Sequence, residues 1–177
     1  MKELFTLLIG SALVNNVVLT KACGLTNAID SSNNKKILND GIYTGIVMLL
    51  SAVICWALQL YVIDKLSIGY LQTLIYVLIN VAVAYLFKGL LKKNCVEFML
   101  AALNSAVLLV CLNNVSYTFG QMVFATVGSA LGLLVAMYLY AGAVHKINNN
   151  HILKSFRGLP IQILAMAIVT LAVFAFK

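Results

Sequence analysis

Charge is scarce in this chain. Only 10% of its 177 residues are Asp, Glu, Lys or Arg, against about 25% in an ordinary soluble domain. So few charges cannot coat a water-facing fold, which excludes a soluble domain as the bulk of the protein. The four cysteines, Cys23, Cys55, Cys95 and Cys111, form no C-x-x-C pair and no Cys/His zinc spacing, so neither a zinc module nor a disulfide framework is implied. No dinucleotide fingerprint and no P-loop is present, so the chain alone is not expected to oxidise NADH. The first apolar segment lacks an A-x-A-type cleavage site after a basic start and is followed by five more, which argues against a cleaved signal peptide.

Apolar residues fill the space that charge leaves. They make up 63% of the sequence, and the mean hydropathy is +1.01. A bilayer crossing needs roughly 17–25 mostly apolar residues. Six stretches approach that pattern: Leu4–Thr20, Gly41–Ile63, Ser67–Phe87, Phe98–Leu112, Phe119–Val144 and Leu159–Phe176. The expected fold is therefore all-α and integral to a lipid bilayer, one membrane domain over residues 1–177. Asp64-Lys65 reads as a tight turn between spans two and three.

The net charge of +7 does not point to nucleic acid. The basic residues sit in short connections between spans, where they set topology. Connections one, three and five carry Lys35, Lys36, Lys88, Lys92, Lys93, Lys146, Lys154 and Arg157; the other side carries Lys2, Lys65 and Lys177. Eight against three places the odd connections in the cytoplasm and both termini outside the cytoplasmic (inner) membrane.

Polar residues inside the spans mark the candidate centre. Asn15 and Asn16 end the apolar run Leu4–Val14, with Lys21 one to two turns further on. Asn104-Ser105 lies in the middle of the short span four. An amide in hydrocarbon is costly unless protein or trapped water satisfies it. Spans one and four open the two triplets of spans. Short or interrupted segments at matching positions of two halves point to an inverted repeat with its site between them, here repeat one at about 1–90 and repeat two at about 91–177. Two ordinary short helices with tolerated amides are the alternative. Asn15, Asn16, Lys21 and Asn104 are then the residues of an ion or polar pathway; for Lys21 the alternative is to extend to the cytoplasmic headgroups. His145 and His151 read as surface residues, and Cys55, beside Trp56, as packing. In span five, Ala125, Gly128, Ser129, Gly132 and Ala136 recur at helical spacing, and Gly128–Gly132 is a G-x-x-x-G. That pattern predicts a tight helix contact, internal or between subunits.

The stretch Leu13-Val14-Asn15-Asn16-Val17-Val18-Leu19-Thr20-Lys21-Ala22-Cys23-Gly24-Leu25 resembles the first helix of the Rnf/Nqr membrane-subunit family, whose pattern runs L-V-N-N-x-V-L-x-K-x-x-G-L-C. Asn104-Ser105-Ala106-Val107-Leu108 looks like the family's N-C-A-V-L, and Phe156-Arg157-Gly158 like its F-R-G. The resemblance covers nearly the whole chain. It is nearest to the A-subunit branch of the Rnf electron-transport complex, equivalent to the E subunit of sodium-translocating NADH:quinone reductase. It implies six helices in two inverted triplets, outward termini, and a homologous partner of opposite topology. It also implies a [2Fe-2S] cluster within the membrane, to which each partner gives two cysteines. At those positions this sequence has Thr26 and Ser105, whose hydroxyls are poor ligands for iron–sulfur iron. The prolines that the family places beside these sites are missing too; Pro160 is the only proline. Cys23 and Cys111, each seven residues after an asparagine, are the thiols for a relocated ligand pair; the alternative is a chance offset between ordinary buried cysteines. No Ser-Gly-Ala-Thr flavinylation motif occurs, so no covalent flavin is expected.

Two classes of function remain open on the sequence. One is a membrane subunit of an Rnf/Nqr-type ion-translocating electron-transport complex, without a catalytic motif of its own. The other is a redox-silent small transporter, channel or scaffold subunit on the same fold.

Overall fold

The computed structural model describes residues 2–14, 16, 34–66, 68–91, 104–148 and 159–175. Among them the chain is helical, without strands. Helix α1 (Lys2–Ile9) runs into a π-helical turn, Gly10–Val14. Helix α2 (Asn34–Leu58) continues through a second π-helical turn, Gln59–Ile63, and one further turn, Asp64–Leu66. A 3-10 turn, Gly69–Leu71, starts α3 (Gln72–Leu91). Helix α4 (Ser105–Asn113) ends in a 3-10 turn, Asn114–Ser116. Helix α5 spans Phe119–Asn148 and α6 spans Leu159–Phe174. Pro160 occupies the first turn of α6, where a missing N–H costs nothing.

Three of these helices are long and apolar enough to cross a membrane: Asn39–Leu66, Gly69–Leu86 and Phe119–Ala143. At about 1.5 Å per residue, the 28 residues of the first exceed the roughly 30 Å hydrocarbon layer. The apolar stretches Ser105–Ser116 and Pro160–Ala172 are shorter. Ile42, Ile46, Leu50, Leu74, Leu78, Ile168 and Leu171 point outward, while Asn16, Thr44, Ser51, Gln59, Asn80 and Asn104 are buried. This oily exterior and polar interior suit lipid, where a polar group must find its partner inside the protein.

Helix α5 is the hub, packed by α1, α2 and α6. Small residues set its contacts. Gly128 faces Leu8 and Ser11, and Gly132 faces Ala12 and Asn16, so α1 and its π turn run parallel to α5. Gly41 meets Leu134 and Met137 while Gly45 meets Ala130, so α2 runs antiparallel to α5. Helix α2 also carries α3 and α4. The Trp56 indole donates to the Tyr117 carbonyl at 2.9 Å, and its ring packs on Phe119 at 5.3 Å. These contacts bring the α4–α5 connection to the end of the bundle where α2 finishes. Helix α1 starts at this same end; α2 starts at the other, where α5 finishes.

Several boundaries differ from the sequence expectation. Asp64-Lys65 is helical, not a turn; the Gln59 amide donates to Asp64 Oδ1 at 2.7 Å and holds it on the helix, so the chain bends only after Leu66. Helix α2 starts at Asn34 rather than Gly41, α3 carries Lys88 to its end at Leu91, and α5 carries His145 and Lys146 to Asn148. Polar residues extend these helices because ends beyond the hydrocarbon layer need no apolar surface. Within the expected span four, Asn104 has an extended backbone (φ −64°, ψ 123°), and α4 begins after it.

Candidate functional site

The end of α1 and its π turn is stitched to α5. Asn16 is 1% exposed, and its Nδ2 donates to the Ala12 carbonyl at 3.1 Å and the Gly132 carbonyl at 2.9 Å. A β-carbon on Gly132 would lie 2.7 Å from Asn16 Nδ2 and 2.8 Å from the Ala12 carbonyl oxygen. One on Gly128 would strike Ser11 Oγ and the Leu8 carbonyl. Glycine is the residue that lets the π turn approach so closely, and the amide then satisfies a helix carbonyl within the packed interior. The G-x-x-x-G contact is thus internal to the chain.

The start of α4 is a second polar point. Asn104, 2% exposed, caps the helix: its Oδ1 accepts from the Ala106 N–H at 3.0 Å. Asparagine suits this role because its short side chain reaches back to the first unpaired N–H groups. Ser105 is the first helical residue and points outward, while Ala106 and Val107 on the next positions are fully buried. Further along, Asn114 Nδ2 donates to Thr126 Oγ1 at 2.8 Å, tying the end of α4 to α5.

A third polar region lies between α2, α3 and α4. The Tyr76 hydroxyl donates to Gln59 Oε1 at 2.9 Å, and Gln59 in turn donates to Asp64. Gln72 Nε2 reaches the Tyr76 oxygen at 3.4 Å. One turn inward, the thiols of Cys55 and Cys111 interact directly, and both belong to the main core with Tyr76. A turn further, Ser51 and Asn80 are buried, and Ser51 Oγ and Asn80 Oδ1 have no hydrogen-bond partner.

Of the residues singled out from the sequence, Asn15, Lys21, Cys23 and Thr26 lie outside the described residues. Asn16, just past the π turn, and Asn104, at the cap of α4, are each buried, in the roles just given. Cys111 sits in the core beside Cys55, which gives Cys55 a thiol neighbour that its apolar flanks did not foretell. Sequence reading missed Ser51, Gln59, Tyr76 and Asn80. A signal was present: Ser51, Cys55 and Gln59 follow each other at i+4, as do Tyr76 and Asn80, which puts each set on one helix face.

Comparison with known proteins agrees along the full length. The family described as "Rnf-Nqr subunit, membrane protein" matches residues 4–177. The A subunit of the Na(+)-translocating ferredoxin:NAD(+) oxidoreductase complex of Acetobacterium woodii is 31% identical, over 98% of this chain and 96% of its own. The A subunit of the ion-translocating oxidoreductase complex of an Azoarcus species is also 31% identical, over 99% and 97%. The A subunit of the proton-translocating ferredoxin:NAD(+) oxidoreductase complex of Clostridium ljungdahlii is 27% identical, over 100% and 97%. With its whole length matched and apolar helices that fit a bilayer, the chain belongs to the Rnf-Nqr family of membrane subunits.

Proposed function

We propose that this chain is the A-type membrane subunit of an ion-translocating oxidoreductase complex, in a form that does not hold an iron–sulfur cluster through the usual two positions. The observation that carries the assignment is the match to A-type subunits over nearly their entire length. The chain crosses the inner membrane six times as two inverted triplets, with helices one and four interrupted and both termini outside. The placement of α1's start with the α4–α5 connection at one end of the bundle supports this topology. A homologous subunit of opposite topology is its partner, together with flavin- and iron–sulfur-bearing subunits.

The residues present do not fit a [2Fe-2S] cluster at the family positions. Ser105 offers an outward hydroxyl at the first residue of α4, and by sequence Thr26 carries a hydroxyl in place of a thiol; iron–sulfur iron takes thiolates. The other sequence candidate, Cys111, is turned into the core against Cys55. No electron-transfer step is therefore assigned to this chain. A second reading, a transport or scaffold subunit without redox chemistry, is favoured by the unpartnered buried oxygens of Ser51 and Asn80.

The test is to purify the tagged chain from its native membrane, identify co-purifying subunits, and measure iron and the EPR spectrum after dithionite reduction. The expected result is co-purification of flavin- and iron–sulfur-bearing subunits, with EPR signals unchanged by Thr26→Ala and Ser105→Ala. Loss of a [2Fe-2S] signal in either variant would overturn the cluster statement. Loss in both Cys23→Ser and Cys111→Ser would establish a relocated ligand pair. Isolation of the chain without such subunits would overturn the complex assignment.

A further inference from the structure

We propose that Cys55 and Cys111 form a redox-active dithiol inside the bundle, which closes to a disulfide that latches α4 onto α2. This goes beyond the assignment to a complex and concerns the chain alone.

The helix contacts bring the two thiols together. Helix α4 packs on α2. The Trp56 indole, on the residue after Cys55, donates to the Tyr117 carbonyl just beyond α4, which fixes the register of one helix on the other. Cys111 lies in the last turn of α4. Cys55 is 1% exposed and Cys111 3%. Both belong to one buried cluster with Met48, Ala52, Val107 and Val110, and their thiols are hydrogen-bond neighbours. Neither is in a disulfide. A single buried cysteine is a small apolar filler. Two thiols in contact, from different helices and 56 positions apart in sequence, can in addition be joined.

The apolar surroundings select a disulfide over a metal. Among the described residues, no group of three or more His, Cys, Asp or Glu is placed to hold a metal ion. Two thiolates around one soft monovalent ion would leave a net negative charge in the interior, which is costly without a counter-charge. The dithiol and the disulfide are both neutral, so the interior accepts either redox state. Burial also decides the oxidant. Ordinary exchange in water proceeds through an accessible thiolate, and these thiols are shielded from water. The oxidant is therefore a small, uncharged disulfide that partitions into hydrocarbon. One cysteine displaces half of it, forming a mixed disulfide, and the departing thiol carries off the cysteine's proton. The second cysteine displaces the other half, which leaves with the second proton. Two cysteine S–H bonds and the oxidant's S–S bond break; one S–S bond in the protein and two S–H bonds on the products form. The cysteine pair loses two electrons, and the oxidant gains them.

The test treats the purified full-length chain in detergent with dipyridyl disulfide, a neutral apolar disulfide, and checks folding by circular dichroism. Peptides are then mapped by mass spectrometry without reduction. The expected result is that the peptides bearing Cys55 and Cys111 are recovered joined to each other, with no pyridyl adduct on either. The joined chain should resist unfolding by dodecyl sulfate at a higher detergent fraction than the dithiol form, and dithiothreitol should reverse the gain. Cys111→Ala, treated in the same way, should show no such gain. Thiols recovered unreacted, or as separate adducts, in the folded wild type would assign the pair to packing alone and overturn the proposal. A link that forms only after unfolding would overturn it as well, and so would Cys55 joined to Cys23 or Cys95 instead of Cys111. An unfolding midpoint unchanged by the link would overturn the latch. The mapping uses the wild type, so its outcome does not depend on a cysteine variant folding or on redox subunits co-purifying.

Discussion

Replacing Gly132 with alanine should destabilise the bundle although it adds only a methyl group. The added carbon would stand 2.7 Å from Asn16 Nδ2 and 2.8 Å from the Ala12 carbonyl oxygen, about 0.6–0.7 Å inside the 3.4 Å at which ordinary contact begins. The Ala12 oxygen belongs to backbone, so the π turn itself must move away from α5. Overpacking of this kind costs about 1–3 kcal/mol. The same movement stretches the 2.9 Å bond from Asn16 to the Gly132 carbonyl; an interhelical hydrogen bond in a bilayer averages about 0.6 kcal/mol. Alanine returns about 0.5–1 kcal/mol by its better helix propensity. The net expectation is a loss of about 1–3 kcal/mol. Gly142, on the same helix, has nothing within 4 Å of its added carbon, so Gly142→Ala should be neutral or slightly stabilising. Unfolding in mixed micelles of increasing dodecyl sulfate content, followed by circular dichroism, measures both. Equal stability of the two variants, within about 0.5 kcal/mol, would refute the assigned contact. Gly128→Leu should go further and abolish docking of α1, since Ser11 and the Leu8 carbonyl already fill that place.

Three other outcomes are expected. Tyr76→Phe removes the donor to Gln59 Oε1 and should cost about 0.6–1.7 kcal/mol in the same unfolding assay; no loss would mean that the bond contributes nothing. Asn104→Ala removes the cap of α4 and should cost about 1 kcal/mol, while Asn104→Ser or Asn104→Asp should recover most of it; a failure of both to recover would assign Asn104 a role other than capping. Cysteines introduced at Lys2 and Asn149 should react with an impermeant maleimide from opposite sides of the membrane, Lys2 from outside; labelling of Asn149 from outside would invert the topology.

The membrane character of this chain was legible without coordinates, because hydrocarbon accepts only helices or closed barrels and the apolar runs have helical lengths. The resemblance was legible too, since Asn15-Asn16 and Asn104-Ser105 stand in short, recognisable strings. Gly128 and Gly132 announced a close helix contact by their spacing alone. Which helix they would receive was not legible: a small residue opens space, and only the three-dimensional packing decides that α1 and Asn16 fill it. Gln59 and Asp64 read as the end of a span and a turn, yet their mutual hydrogen bond carries the helix onward. Cys55 and Cys111 are 56 positions apart in sequence, and no local pattern links them; the packing of α4 on α2 does. Ser51 and Asn80 were each unremarkable as single polar residues in apolar runs. Sequence determines the face on which each lies through the helical repeat, but only the packing of α2 against α3 seals both from solvent, because that register is fixed by tertiary contacts such as Gln59–Tyr76 and Val47–Val83.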